Sequence, residues 1–120
     1  MSATPRKQPG IRQLKVGEQI RHTLAEALRS GHFADPVLRD VTITVSEVRI
    51  SPDLKAATAF VMPLGGDDTE TTVSALNRAS GYFRHAISKA VRLKYTPEIN
   101  FKADTSFDRA ERLDAILRGN

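Results

Sequence analysis

An α+β sandwich, with helices on one side of a small mixed sheet, is the fold class that this sequence predicts. Three observations carry it. Val16, Ile20, Leu24, Ala27 and Leu28 recur at helical spacing, two β-rich segments flank the turn residues Ser51-Pro52-Asp53, and a further strand pattern lies beyond a second helical stretch. At 120 residues and 40% hydrophobic content, the chain fits one compact domain with its own core.

The first helix spans about Arg12 to Arg29 and turns Lys15, Arg21, His22 and Arg29 mostly outward. Gly31 ends it, and Asp35-Pro36 opens a connecting loop, because a residue before proline avoids helical backbone. Val41 to Ile50 is dense in β-branched residues. Val41, Ile43 and Val45 share one phase and Val48 and Ile50 the other, so the slip at Ser46-Glu47 predicts a β-bulge. Ser51-Pro52-Asp53 supplies turn chemistry, and Leu54 to Pro63 returns as the second strand of an antiparallel hairpin. Ala57, Ala59 and Val61 alternate with Thr58, Phe60 and Met62, so neither face of that strand is clearly polar.

Gly65-Gly66-Asp67-Asp68 reads as a loop, with Thr69 or Thr71 capping the next helix, whose apolar residues are Val73 and Leu76. Ala79-Ser80-Gly81 then interrupts the helical pattern. Glycine inside a helix costs roughly 1 kcal/mol relative to alanine, and serine offers the backbone a competing partner, so a kink is expected. A further helix runs to about Leu93, with Phe83, Ile87, Ala90 and Val91 on its packing face and His85, Lys89 and Arg92 on another. Past Pro97, Ile99, Phe101 and Ala103 alternate with polar residues as a third strand. A short terminal helix uses Leu113, Ile116 and Leu117, capped by Ser106 or Asp108, and residues 1–10 form a disordered basic arm.

Net charge is +4, and its distribution is uneven. Residues 71–97 hold Arg78, Arg84, Lys89, Arg92 and Lys94 with no acid, and residues 1–15 hold Arg6, Lys7, Arg12 and Lys15 with none. One electropositive face suited to a polyanion follows. A kink among such side chains would set backbone N–H groups beside cations, a setting for phosphate. Few aromatics are placed for base stacking, with Tyr82 and Tyr95 the best placed, so backbone or shape reading is favoured over single-strand sequence reading.

Enzymatic readings find little in the residues. His22, His32 and His85 lack metal-site spacing, and with no cysteine there is no thiolate ligand or nucleophile. Gly65-Gly66 lacks the lysine of a phosphate loop, Asp67-Asp68 lacks the spaced oxygens of a calcium loop, and Ser51 has no activating base. The reading is therefore no catalytic residue, no metal and no cofactor. Apolar runs fall short of the ~20 residues of a membrane span and no secretory pattern is present, so no membrane association and a cytoplasmic location are expected.

Val41-Thr42-Ile43-Thr44-Val45-Ser46-Glu47-Val48 with Ser51-Pro52-Asp53-Leu54, the Ala79-Ser80-Gly81 kink with Phe83-Arg84, and Leu93-Lys94-Tyr95-Thr96-Pro97-Glu98-Ile99-Asn100-Phe101 followed by Asp104 resemble the ribosome-binding factor A family in order, over about residues 12–117. The resemblance implies a type-II KH-like domain, α-β-β-α-kink-α-β with a short C-terminal helix, over residues 11–118. Its Ala-x-Gly kink, here Ala79 and Gly81, replaces the Gly-x-x-Gly loop of typical KH domains. It also implies a monomeric, non-enzymatic factor that binds the immature small ribosomal subunit, assists late maturation of 16S ribosomal RNA including 5′-end processing, matters for growth in the cold, and is released with a ribosome-associated GTPase. The expected RNA-binding residues are Arg78, Ala79, Ser80, Gly81, Arg84, His85, Lys89, Arg92 and Lys94, with Arg6, Lys7 and Arg12 from the N-terminal region. Two alternatives stand beside this reading: a general KH-type module for single-stranded RNA, and a protein-interaction domain using the uncovered sheet face.

Overall fold

A computed structural model of the protein describes residues 10–39, 41–65 and 68–105. The expected terminal helix, Arg6, Lys7 and all but the last residue of the basic arm lie outside them. Helix α1 spans Ile11–Ser30, strands β1 and β2 span Thr42–Ile50 and Ala56–Leu64, helices α2 and α3 span Thr69–Arg78 and Ser80–Ala90, and strand β3 spans Glu98–Ala103. The sheet order is β1-β2-β3, antiparallel between the first pair and parallel between the second. This is the mixed sheet and element order of the type-II KH-like expectation.

Alternation places the core on one face of that sheet. Val45 and Ile50 of β1, Ala57, Ala59 and Val61 of β2, and Ile99 and Phe101 of β3 are buried beneath the helices, while Thr44, Arg49, Met62, Asn100 and Lys102 are exposed on the other face. The pairing slips between Val45 and Glu47 as the sequence phase required. The extra residue at Ser46 keeps both Val45 and Ile50 pointing inward.

Two close approaches explain glycines that hydropathy does not. A Cβ on Gly17 would lie 2.9 Å from the carbonyl oxygen of Val48, so its absence lets α1 settle directly on β1. Gly17→Ala is expected to lower stability by about 1–3 kcal/mol by lifting α1, measured by denaturant titration. Gly31 does end α1, but its backbone is extended (φ −73°, ψ 148°) and not left-handed. The reason for glycine there is space: a Cβ would stand 2.5 Å from the Ala27 carbonyl oxygen and 2.9 Å from both the Phe33 ring and the Tyr82 hydroxyl.

The connections carry local corrections. Asp35 accepts from the Val37 amide at 3.1 Å and opens a 3-10 turn over Pro36–Leu38 where the sequence suggested a plain loop. The hairpin turn places Leu54 in left-handed backbone (φ 62°), so β2 starts at Ala56 and not at Leu54. Such a leucine costs roughly 1–2 kcal/mol. Ser51 offsets this by donating to Asp53 at 2.6 Å while its hydroxyl accepts from the Lys55 and Ala56 amides. The serine hydroxyl, followed by the Lys55 amide, holds the Asp53 carboxyl below the ordinary carboxylate range. Asp68, rather than either threonine, caps α2, accepting from the Thr71 amide at 2.8 Å and from its hydroxyl at 3.1 Å. An aspartate serves better at this position because it meets the helix N-terminus as an anion.

Asn77 in α2 closes the outer edge of β3. Its amide donates to the Phe101 carbonyl at 3.1 Å and its oxygen accepts from the Phe101 amide at 2.8 Å, so one side chain replaces a neighbouring strand.

Candidate nucleic-acid interface

The helical pair breaks at a single residue. Ala79 (φ −93°, ψ 14°) leaves helical backbone: its amide closes α2 onto Ala75 and Leu76, and its carbonyl accepts the amides of Tyr82 and Phe83 that begin α3. The kink predicted at Ala79-Ser80-Gly81 is therefore present, but alanine makes it. Gly81 sits in the first turn of α3, which has no side-chain cap, and a Cβ there would meet nothing within 4 Å. Neither packing nor backbone angle within the fold requires glycine at 81. Its bareness leaves room for a group from outside.

Aromatic packing fixes the start of α3. Phe83 is fully buried and meets Phe101 edge-on at 5.1 Å, with Tyr82 at 5.3 Å and Phe33 at 5.7 Å. Tyr82 also stands edge-on to Phe33 at 5.2 Å, so much of its ring serves the fold. Tyr95 is the freer of the two tyrosines, 62% exposed with the Lys94 ammonium 5.5 Å above its ring.

The basic side chains fall into three sets. Arg78 pairs with Asp35 at 2.9 Å, and this bond, ahead of the Val37 amide, holds the Asp35 carboxyl below the ordinary carboxylate range. Arg84 donates to the carbonyls of Thr96 at 3.1 Å and Pro97 at 3.3 Å and so ties α3 to the segment entering β3. Both arginines beside the kink therefore also serve the fold. His85 and Lys89 are exposed and lie one and two turns beyond Gly81 on the same side of α3. No carboxylate among the described residues pairs with Lys89, Arg92 or Lys94.

Arg92 is not on that helix face. Val91 turns to extended backbone (φ −119°, ψ 123°) and buries its side chain, so α3 ends at Ala90, short of the expected Leu93. Arg92 follows in the connection and is exposed, and Ala90 is exposed rather than packed. Beyond it, Arg12, Lys55, Leu93, Lys94 and Tyr95 surround a small cavity of about 220 Å³ together with Asp53 and Leu54. Lys55 has no signal in the sequence that would single it out. The parallel pairing brings it there, because its carbonyl accepts the Glu98 amide at 2.9 Å and so aligns the hairpin turn with the chain entering β3.

The outcome is a cationic track of Gly81, His85 and Lys89 along α3 with Arg92 in the connection after it, and a basic cluster of Lys94, Lys55 and Arg12 around a cavity that Asp53 also lines. Such a track can hold successive phosphates while the first turn of α3 offers backbone donors. Among the described residues no cluster of acidic and histidine side chains could hold a metal ion, and no helix is long and apolar enough to cross a membrane.

Similarity to known proteins agrees with this architecture. The family model for ribosome-binding factor A matches residues 12–117. The chain is 50% identical over 111 residues to ribosome-binding factor A of Paramagnetospirillum magneticum, covering 92% of this chain and 78% of that one. The crystal structure of ribosome-binding factor A from Thermus thermophilus superposes with a TM-score of 0.64 at 26% identity, covering 76% of this chain and 94% of that one. A homology model of the Thermus thermophilus factor, fitted into the cryo-EM map of a 30S complex with the factor, superposes with a TM-score of 0.61 at 25% identity, covering 78% of this chain and 96% of that one. On the match over residues 12–117 and the shared fold, the chain belongs to the ribosome-binding factor A family.

Proposed function

We propose that this protein binds the immature small ribosomal subunit and lays the track from Gly81 to Arg92 along ribosomal RNA backbone. The observation that carries the reading is the exposed, carboxylate-free side of α3 in a family whose Thermus member has been placed in a 30S complex. Binding without chemistry then assists late maturation of 16S ribosomal RNA, including its 5′ end, and supports growth in the cold. A ribosome-associated GTPase releases the factor, which works in the cytoplasm as a monomer. Residues 11–118 act as one RNA-binding domain, and Arg6 and Lys7 in the basic arm add an electrostatic contact. Arg78 and Arg84, each also bonded within the fold, flank the kink and add cationic contacts to the same RNA backbone.

Gly81→Ala tests this reading. The fold has room for the added methyl group, so stability is expected to hold or rise by up to about 0.5–1 kcal/mol. Affinity for small subunits, measured by co-sedimentation, is expected to fall about tenfold, because the methyl group occupies the approach to the α3 backbone, a loss of about 1.4 kcal/mol. Unchanged affinity in this variant would remove the kink from the interface.

A further inference from the structure

A groove of about 820 Å³ lies away from the α3 track, between the flank of α1 and the outer edge of β1. Thr42 and Thr44 line it as well as Ile43 and Val45. Successive side chains of a strand point to opposite faces, so a groove touching both sets runs along the strand's edge. The floor is apolar, with Ala25, Leu28, Leu38 and Val41.

Among the described residues, that edge has open main-chain positions. Ile43 stands opposite Pro63 in β2. Proline has no N–H, and antiparallel pairs alternate between bonded and unbonded, so Ile43 and Pro63 form an unbonded pair. The N–H and C=O of Ile43 consequently point away from β2, into the groove. The other edge of the sheet is treated differently: Asn77 bonds both main-chain groups of Phe101 on β3. Among the described residues, one edge is closed at Phe101 by a side chain, and the other is left as a template.

Charge identifies what would use it. Arg21, Arg29, His32 and Arg39 line the groove, and no carboxylate is among the described residues lining it. Glu18 and Glu26 pair with Arg21 and Arg29 from one turn back on α1, off the groove. Arg39 is held by the carbonyls of Phe33 at 3.3 Å and Ala34 at 2.9 Å, which fixes its guanidinium in place, with the Asp35 carboxylate as a weaker electrostatic neighbour. We infer that this groove binds an extended, acidic peptide segment of a protein partner, added as a strand to the edge of β1. Apolar side chains at every second position would enter the floor, and carboxylates would meet the four basic side chains. This site is separate from the RNA track and does not depend on it.

The test uses the 15N-labelled full chain and a short synthetic peptide alternating valine and glutamate. Saturable binding is expected, with amide shifts confined to Val41–Val45 and the facing residues of α1. Replacing glutamate by lysine in the peptide, or methylating its alternate amides, is expected to weaken binding at least about tenfold, as is Arg29→Glu/Arg39→Glu in a protein whose spectrum stays dispersed. Absence of binding, equal binding of the lysine peptide, or shifts on α3 or the open sheet face would overturn the proposal. So would displacement of the peptide by oligouridylate, shifts at Val41–Val45 that follow protein concentration alone, or contacts from residues 106–120 onto those amides in the free protein. These outcomes assign the groove to RNA, to a second copy, or to the chain's own end.

Discussion

Reversing both free charges at the end of the track, Lys89→Glu/Arg92→Glu, is expected to weaken binding to immature small subunits about a hundredfold at physiological salt. Each site loses a phosphate contact and gains a repulsion, taken as about tenfold or 1.4 kcal/mol per site. Both side chains are exposed and bond to no carboxylate among the described residues, so their reversal keeps the fold, at a cost of about 1 kcal/mol or less for an anion in the last turn of α3. The dependence of log K on log salt should also flatten by roughly 2, about 1 per lost contact. Binding isotherms across a salt series check both effects. Lys102→Glu is the internal comparison, because Lys102 is exposed on the opposite, open face of the sheet. A loss at Lys102 with none at Lys89 and Arg92 would move the interface to that face and favour the protein-docking alternative.

Phe83→Ala carries the largest effect on stability. Its ring is completely buried and touches Phe33, Tyr82 and Phe101, joining the loop after α1, the start of α3 and strand β3. The cost is expected to be about 3–5 kcal/mol, a large share of the 5–15 kcal/mol available to a domain of this size. A fall in Tm of more than about 10 °C follows, and calorimetry reads it directly. Phe83→Leu keeps most of the volume and should recover over half of the loss. Because Phe83 anchors the first turn of α3, the alanine variant should also bind subunits less tightly at temperatures where it remains folded.

The sequence and the structure agree most closely where a local rule is strong. The phase change between Val45 and Val48 left only a bulge as a solution, and the structure has it at Ser46. A glycine and a serine inside a helical pattern located the kink to within two residues. What remained hidden depends on elements distant in sequence. Gly17 is glycine because of a carbonyl on β1, and Gly31 because of rings from the next loop and from α3. Neither contact has a periodic signature.

The site shows the same division. An acid-free run from residue 71 to 97 announced a basic surface, but charge in a sequence does not say which cations are already engaged. Arg78 finds Asp35 across 43 positions, and Arg84 finds two carbonyls ahead of β3. Helical spacing put Arg92 in line with His85 and Lys89, whereas burial of Val91 unwinds the helix before it. Lys55 joins Arg12 and Lys94 only through the parallel pairing of β2 with β3, which no local pattern encodes. The positive surface was legible, then, while its division into structural and available charge required the tertiary fold.

A cryo-EM reconstruction of the full-length protein on native immature small subunits decides which face of the molecule meets the ribosomal RNA. Ribosomal RNA phosphates are expected within hydrogen-bonding or ion-pair reach of Lys89 and Arg92, and RNA backbone against the first turn of α3 at Gly81. A map in which that side of α3 faces solvent while the open sheet face, with Met62 and Lys102, contacts the subunit would contradict it.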